Sequence, residues 1–381
     1  VYNFSRHQLE NNVKKMLNNF HSEQSRLQGL TSEEVESRLD RDEKKIKWTT
    51  DIFADLIKGK THTFSRENIV KNSYRPFTKT WWYSDASWNW TRHLMPHFFP
   101  KQDTHNLVIV LSGVGSRNGL SALMTDVVVD RNMLEAGAQC FPLKLYEKQE
   151  AGEGLFAGQD KPGEYTVRDG ISDEALDHFQ AAYPSEQFTK EDLFYYIYGL
   201  LHSTDYRTRF QNNLSKELPR IPAVKRFEDF KAFSDAGRKL GHLHVNYENA
   251  DPYPVLFKQG DLRLADIPDP KRFYRVDKWK FGGKRGSLDK TTVVYNHNLT
   301  LIDIPLEAYE YVVNGKPALE WVMGRQCVKT HKKSGIVNDA NDYANETMNN
   351  PKSPLELFQR VITVSLETMK IVRKLPGMDI E

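Results

Sequence analysis

The densest concentration of groups able to hold a polyanion runs from Lys271 to Lys290, KRFYRVDKWKFGGKRGSLDK, where eight basic side chains meet two acids. Phe273, Tyr274, Trp279 and Phe281 alternate with Lys271, Arg272, Arg275, Lys278, Lys280, Lys284 and Arg285, and Gly282, Gly283 and Gly286 supply a flexible tip. Cations on one face of such a hairpin can follow a phosphate backbone or enter a groove. The same pattern equally describes a hairpin whose aromatics pack inward and whose lysines keep an edge soluble. Arg325, Lys329, Lys332 and Lys333 form a second basic group, in a stretch from Trp321 to Asn338 that holds no acid. A third lies in Leu200 to Pro222, where Arg207, Arg209 and Arg220 stand among Gln211, Asn212 and Asn213, side chains that can donate to phosphates and base edges. Arg75 and Lys79 punctuate a tryptophan-rich segment, and Arg117 sits at the tip of a glycine-rich turn. Arg75, just before Pro76, also suits a structural ion pair.

Catalytic patterns are weaker. Gly113 to Gly119 follows a strand, but its GxGxxxG spacing is one residue too long for a dinucleotide fingerprint, and Leu120 stands where a phosphate loop needs lysine. Asp269 and Asp277 with Lys278 and Lys280 approach a metal-dependent nuclease pattern, yet Trp279 occupies the slot expected for the lysine. His242 and His244 would share a face on a strand, and Cys327 and His331 have helical spacing, but neither pair has a third ligand nearby.

The elements that must position these residues follow from periodicity and punctuation. Apolar residues at Leu9, Val13, Met16, Leu17 and Phe20 predict a helix from Arg6. Thr31 and Glu34 make a capping-box pattern, and Gly59 stops a helix over Asp51–Lys58. Strands are expected at Leu107–Leu111, Val127–Val129 and Phe141–Tyr146. Helices are expected over Asp173–Ala182, Lys190–Leu201, Tyr206–Leu218 and Phe227–Leu240, then strands over Arg272–Phe281, Thr291–Tyr295 and Leu299–Ile302. A final helix is expected with Ser353 as N-cap, Pro354 first and Glu356 completing the box. The fold class this implies is α+β (mixed α/β), with an N-terminal α/β part over 31–150, an acidic glycine-rich connector over 151–170, and a C-terminal α+β part over 171–381.

Several of these segments resemble motifs of one family. Tyr74-Arg75-Pro76-Phe77, Cys140-Phe141-Pro142-Leu143, Tyr309 to Lys316 with Ala318-Leu319-Glu320-Trp321, Ser334 to Asp339, Val364 to Thr368 and the stretch Leu200 to Pro222 occur in family order. The chain resembles the C-terminal specificity region of type ISP restriction-modification enzymes, large bacterial proteins that join a nuclease, a helicase-like translocase, an adenine methyltransferase and a target recognition domain. The resemblance implies sequence-specific recognition of double-stranded DNA and presentation of an adenine for base flipping by an adjacent methyltransferase domain. Residues 1–30 would then be a helical lead-in from that domain. S-adenosylmethionine, ATP and Mg²⁺ would belong to the parent enzyme, with no cofactor in this segment. Neither the methyltransferase Asn-Pro-Pro-Tyr motif nor Walker and helicase motifs occur here. Two other readings stay open: a metal-dependent nuclease with an unrecognised site, and a docking module of a methyltransferase that touches DNA little.

Composition bounds these readings. The 381 residues carry a net charge of only +2, but Glu147 to Asp192 holds twelve acids and four bases while Lys271 to Lys290 is strongly basic. Such asymmetry makes one surface attractive to polyanions. Two distant cysteines form no disulfide framework, which with the resemblance implies a reducing cytoplasm. No stretch approaches a bilayer-spanning length, so no membrane partner is expected. Because the chain opens on Val1, it is expected to be a fragment.

Overall fold

The computed structural model describes residues 2–89, 92–148, 165–262 and 266–380. The expected connector over 151–170 therefore lies, up to residue 164, outside the described residues, as does Trp90.

Strand β1 (Tyr2–Asn3) leads into helix α1 (Arg6–Arg26), whose buried stripe of Leu9, Val13, Leu17 and Phe20 follows the helical period. Ser5 caps it by accepting from the Gln8 amide. Helix α2 (Ser32–Arg38) carries the expected box of Thr31 and Glu34, and α3 (Thr50–Ile57) ends just before Gly59, whose φ of 65° suits a residue without a Cβ. Strands β2 (Ile69–Arg75) and β3 (Thr78–Tyr83) form a hairpin, and helix α4 (Met95–Phe98) follows. Next come β4 (Val108–Leu111), β5 (Ala122–Thr125), β6 (Val128–Val129), β7 (Gln139–Pro142), β8 (Lys144–Lys148) and β9 (Tyr165–Asp169). One sheet has the order β1-β3-β2-β6, with only the β2–β6 pair parallel. A second, β5-β4-β7, is antiparallel.

Strands β4 and β5 of this second sheet are buried on both faces, while the edge strand β7 leaves Gln139 and Phe141 exposed. Val108, Val110 and Leu123 enter one core, whereas Ile109, Leu111 and Met124 enter another. The alternation is the two-residue period of a strand with both faces covered.

One of these cores is helical. It gathers α5 (Asp173–Ala182), α6 (Lys190–His202), α7 (Thr204–Arg209), α8 (Gln211–Leu214) and α9 (Phe227–Val245). Helices α6 and α9 touch backbone to backbone: a Cβ on Gly199 would lie 2.1 Å from the Phe233 carbonyl oxygen, and one on Gly237 would lie 1.9 Å from that of Tyr195. Thr189 and Asp192 form a capping box at the start of α6. Thr189→Ala removes the acceptor for the Asp192 amide, and about 1 kcal/mol of stability should go with it in urea titrations.

The other core contains β10 (Leu256–Phe257), α10 (Pro270–Phe273), β11 (Lys280–Lys284), β12 (Ser287–Val294) and β13 (Thr300–Ile302). The order β10-β13-β12-β11 makes a four-stranded antiparallel sheet. A hairpin of β14 (Val312–Val313) and β15 (Lys316–Pro317) feeds α11 (Ala318–Arg325), and β16 (Val328–Thr330) pairs with β17 (Val337–Asp339). Helices α12 (Ala340–Glu346) and α13 (Ser353–Val372) complete the described chain. Phe358, Val361 and Ile362 of α13 share this core with Phe77, Val108 and Val110, so it draws on both sides of the undescribed stretch. Likewise Phe4 and Leu9 pack with Ala340 and Tyr343.

The mixed α+β class agrees with expectation; four element assignments do not, the first being the strand over Phe141–Tyr146, which breaks at Leu143 into β7 and β8 of different sheets. The single helix over Tyr206–Leu218 is two short ones, because Phe210 leaves helical geometry at φ −105° and ψ 16°. Tertiary contact wins over periodicity there: Tyr206 is buried and its hydroxyl donates to the Arg220 carbonyl at 2.7 Å. The strand over Arg272–Phe281 begins only at Lys280, because Asp269 and Pro270 start a short helix instead. Ser353 lies inside α13 rather than capping it, and Glu356 accepts from Asn350 Nδ2 at 2.9 Å instead of closing a box.

Candidate nucleic-acid interface

The β11–β12 hairpin sends its aromatics and its cations to opposite sides. Trp279 is buried, its indole N–H donating to the Gln326 carbonyl at 2.5 Å, and Phe281 packs on the same core. Gly283 and Gly286 take φ of 79° and 92°, which lets the turn close. Lys278, Lys280, Lys284 and Arg285 remain exposed, and none of them pairs with an acid among the described residues. The two sequence readings of this hairpin are therefore one geometry.

Lys278 and Lys280 line a groove of about 400 Å³ whose opposite wall carries Lys316, Gly324 and Lys329. Its two acids are occupied: Asp277 pairs with Arg275 at 3.1 Å and Glu320 with Lys290 at 2.9 Å. Partial burial pushes the Lys316 ammonium below the usual lysine range; Glu320 opposes this, while repulsion from Arg325 and Lys329 adds to it. Burial likewise lowers Lys329, with Cys327 opposing and Arg325 reinforcing. Lys329 Nζ donates to the Gly324 carbonyl at 2.6 Å, near the C-terminal end of α11, where carbonyl dipoles favour cations. Arg325 spreads over the Tyr74 and Trp321 rings, 5.8 and 5.6 Å from their centroids. Cys327 lies beneath, its thiol pushed up by burial.

Cations held this close are short of counter-charge. A phosphate between them restores their pKa values, so duplex binding should take up protons. Affinity should then fall as pH rises through the alkaline range in which the depressed ammoniums deprotonate. Anisotropy titrations at fixed ionic strength between pH 7 and 10 check this, with a Lys316→Arg, Lys329→Arg variant expected to lose the dependence.

The other basic candidates are placed differently. Lys332 is exposed, and Lys333 is exposed but within 3.2 Å of Glu43. Arg117 is exposed on its turn. Arg209 donates to the Met378 carbonyl at 3.3 Å, and Arg220 pairs with Glu217 at 3.0 Å. Arg75 bonds Asp130 at 2.8 Å and covers the Tyr74 ring, as its ion-pair reading anticipates. Lys79 is 10 % exposed between Asp126 at 3.5 Å and Glu248 at 3.2 Å. Burial lowers its pKa, but the two carboxylates outweigh burial and raise it. Arg207 turns inward, its Nε donating to the Leu201 carbonyl at 2.7 Å.

His242 and His244 lie on α9, not on a strand, and among the described residues no three His, Cys, Asp or Glu side chains group as metal ligands. No helix among the described residues is long and apolar enough to cross a membrane. His202 and His244 are instead buried beside Tyr198. Burial first, and Arg207 second, push His202 down to about 3. Its folded pKa is depressed, so below about pH 6.5 the unfolded chain takes a proton that the folded chain refuses. Between pH 7 and 5 His202 should therefore cost about 2 kcal/mol of stability. Urea titrations at both pH values should show the acid loss shrinking by that amount in His202→Gln.

Lys316 is the groove residue that sequence reasoning missed. The signal was present: Asn314 and Gly315 both take positive φ, 48° and 70°, and Asn-Gly is a strong two-residue hairpin turn. That turn sets Lys316 at the head of α11.

The mixed α+β fold thus carries a cationic groove whose two acids are paired elsewhere, a charge distribution that attracts polyanions. The family model for the Type ISP C-terminal specificity domain matches residues 1–357, and the chain belongs to that family. Its fold is similar to a nuclease-deletion mutant of the Type ISP restriction-modification enzyme LlaGI in complex with a DNA substrate mimic, with 33% identity and a TM-score of 0.82 over 100% of this chain and 32% of that one. The ATP-dependent Type ISP restriction-modification enzyme LlaBIII bound to DNA gives 31% identity and 0.82, over 100% and 22%. The DrdV–DNA complex gives 28% and 0.80, over 100% and 35%. The chain thus spans about a third or less of each of these proteins. Comparison with curated protein sequences gave no match.

Proposed function

We propose that this chain is the target recognition module of a type ISP restriction-modification enzyme and holds duplex DNA along the Lys278–Lys280–Lys316–Lys329 groove. Lys284 and Arg285 at the hairpin tip, with Arg325, Lys332 and Lys333, extend the contact. The observation that carries this is a groove lined by Lys278, Lys280, Lys316 and Lys329 whose two acids, Asp277 and Glu320, are paired with other cations. Phosphate contacts would fix register, and a few donors would read base edges in the major groove. The module would present its target adenine to an adjacent N6-adenine methyltransferase domain, which pairs S-adenosylmethionine with base flipping. ATP and Mg²⁺ would serve other parts of the parent.

The chain titrated with a labelled duplex should bind with an affinity that falls steeply as salt rises. Salt-independent binding, or none, would instead favour a docking module. Divalent-metal-dependent cleavage by the chain alone would favour a nuclease.

A further inference from the structure

Trp82 is half-buried, yet it belongs to none of the hydrophobic cores of the described residues. Trp48, Trp81, Trp88, Trp279 and Trp321 each do. Among the described residues Trp82 stacks on no other aromatic ring and its indole N–H has no hydrogen-bond partner. Strand register sets it on the sheet between Tyr2 of β1 and Val70 of β2. There it lines a cavity of about 640 Å³ whose other walls come from segments 92–98 and 129–140.

A cavity of about 600 Å³ adjoins the first and shares Arg92 and Met95 with it. Lys71 and Lys101 line one, Arg131 lines the other, and Arg92 lines both. None of these four cations pairs with an acid among the described residues. Asp126 and Asp130, also on the walls, are held by Lys79 and Arg75. Glu67 is left as the single uncommitted carboxylate among the described lining residues. Positions 71, 92, 101 and 131 are far apart in sequence, so the fold alone assembles this charge. Neither cavity shares a lining residue with the Lys278–Lys329 groove.

Cationic walls attract a polyanion, and an uncommitted indole offers a stacking face. Stacked base pairs cover their faces and present only edges, so a duplex has nothing to lay on Trp82. An unpaired strand supplies both a phosphate at every nucleotide and free base faces. Inorganic phosphate would leave Trp82 unused, and an apolar ligand would strand the cations. Each volume falls within the range of ligand pockets, roughly 300–1,000 Å³.

We infer that these joined cavities hold an unpaired DNA strand, with one base stacked on Trp82 and its flanking phosphates on Arg92 and Arg131. The strand continues past Lys71 and Lys101. The site lies apart from the duplex groove and does not depend on it.

Anisotropy titration of the 381-residue chain with a short labelled oligothymidylate, and with an abasic strand of equal length, tests it. Saturable binding of oligothymidylate is expected, with the abasic strand about tenfold weaker. Trp82→Ala should weaken oligothymidylate about tenfold and erase its advantage over the abasic strand, whereas Trp82→Phe should keep most of that advantage. Arg92→Gln with Arg131→Gln should weaken both strands about tenfold. Duplex affinity should not change in Trp82→Ala. No saturable binding of oligothymidylate, equal binding of the abasic strand by the wild type, or an advantage that survives in Trp82→Ala overturns the proposal. If changing Lys278, Lys280, Lys316 and Lys329 to glutamine costs single-strand affinity as much as duplex affinity, the proposal is also overturned and the strand belongs in the groove.

Discussion

Changing Lys278, Lys280, Lys316 and Lys329 together to glutamine should lower duplex affinity by a factor on the order of 10²–10³ near 0.1 M salt, and should flatten the log–log salt dependence by about 3 to 4. Each lysine that neutralises a phosphate releases roughly 0.9 of a counterion, so the slope counts the contacts directly. The effect is large because these four ammoniums line one groove and its acids are held elsewhere. The matched control changes Lys14, Lys45, Lys60 and Lys370, which already sit beside Glu10, Asp40, Asp55 and Glu367. It removes the same total charge and should change affinity by no more than a few-fold. Equal losses in the two sets would make the attraction a property of net charge and refute a localised interface.

Gly199→Ala and Gly237→Ala should each destabilise the fold by about 3 kcal/mol, read as a lower urea midpoint at unchanged slope. The added methyl at either position runs into a backbone carbonyl of the facing helix, which cannot rotate away. To fit it, α6 and α9 must separate, and the aromatic packing of Tyr196 on Phe230 and Phe233 separates with them. Gly241→Ala on the same helix is the contrast. Its methyl would meet the Met124 side chain, 2.8 Å to Sδ, and a methionine can change rotamer, so the cost should stay near 1 kcal/mol. Helix propensity alone would favour alanine at all three positions, so similar losses at all three would sink the distinction between a backbone and a side-chain obstacle.

What the sequence made legible divides by distance along the chain. Helices α1, α5, α6, α9 and α13 were readable because their apolar periods are local, although the cap expected for α13 is not made. The break at Phe210 was not, because it depends on Tyr206 reaching Arg220 across a turn. The same division holds for the cations. Charge density marked Lys278, Lys280, Lys284 and Arg285, all of them exposed, while Trp279 just before β11 turns inward to bond the Gln326 carbonyl. Nothing near Lys79 in sequence reveals Asp126 and Glu248, so it looked as free as the others, whereas the ion pair that Arg75 was read to suit is made with Asp130, a partner its sequence neighbours do not reveal. Lys316 was hidden for the opposite reason: it stands alone in an uncharged block and gains its neighbours only through the fold.

The packing of Phe4 and Leu9 against Ala340 and Tyr343 bears on how the protein is made. Ser5 also donates to Glu346, and Asn3 to the Val337 carbonyl at 2.9 Å. A chain leaving the ribosome at about 5–20 residues per second exposes the apolar stripe of α1 on the order of tens of seconds before its partners emerge. Burial of that stripe therefore waits on residues more than three hundred positions downstream.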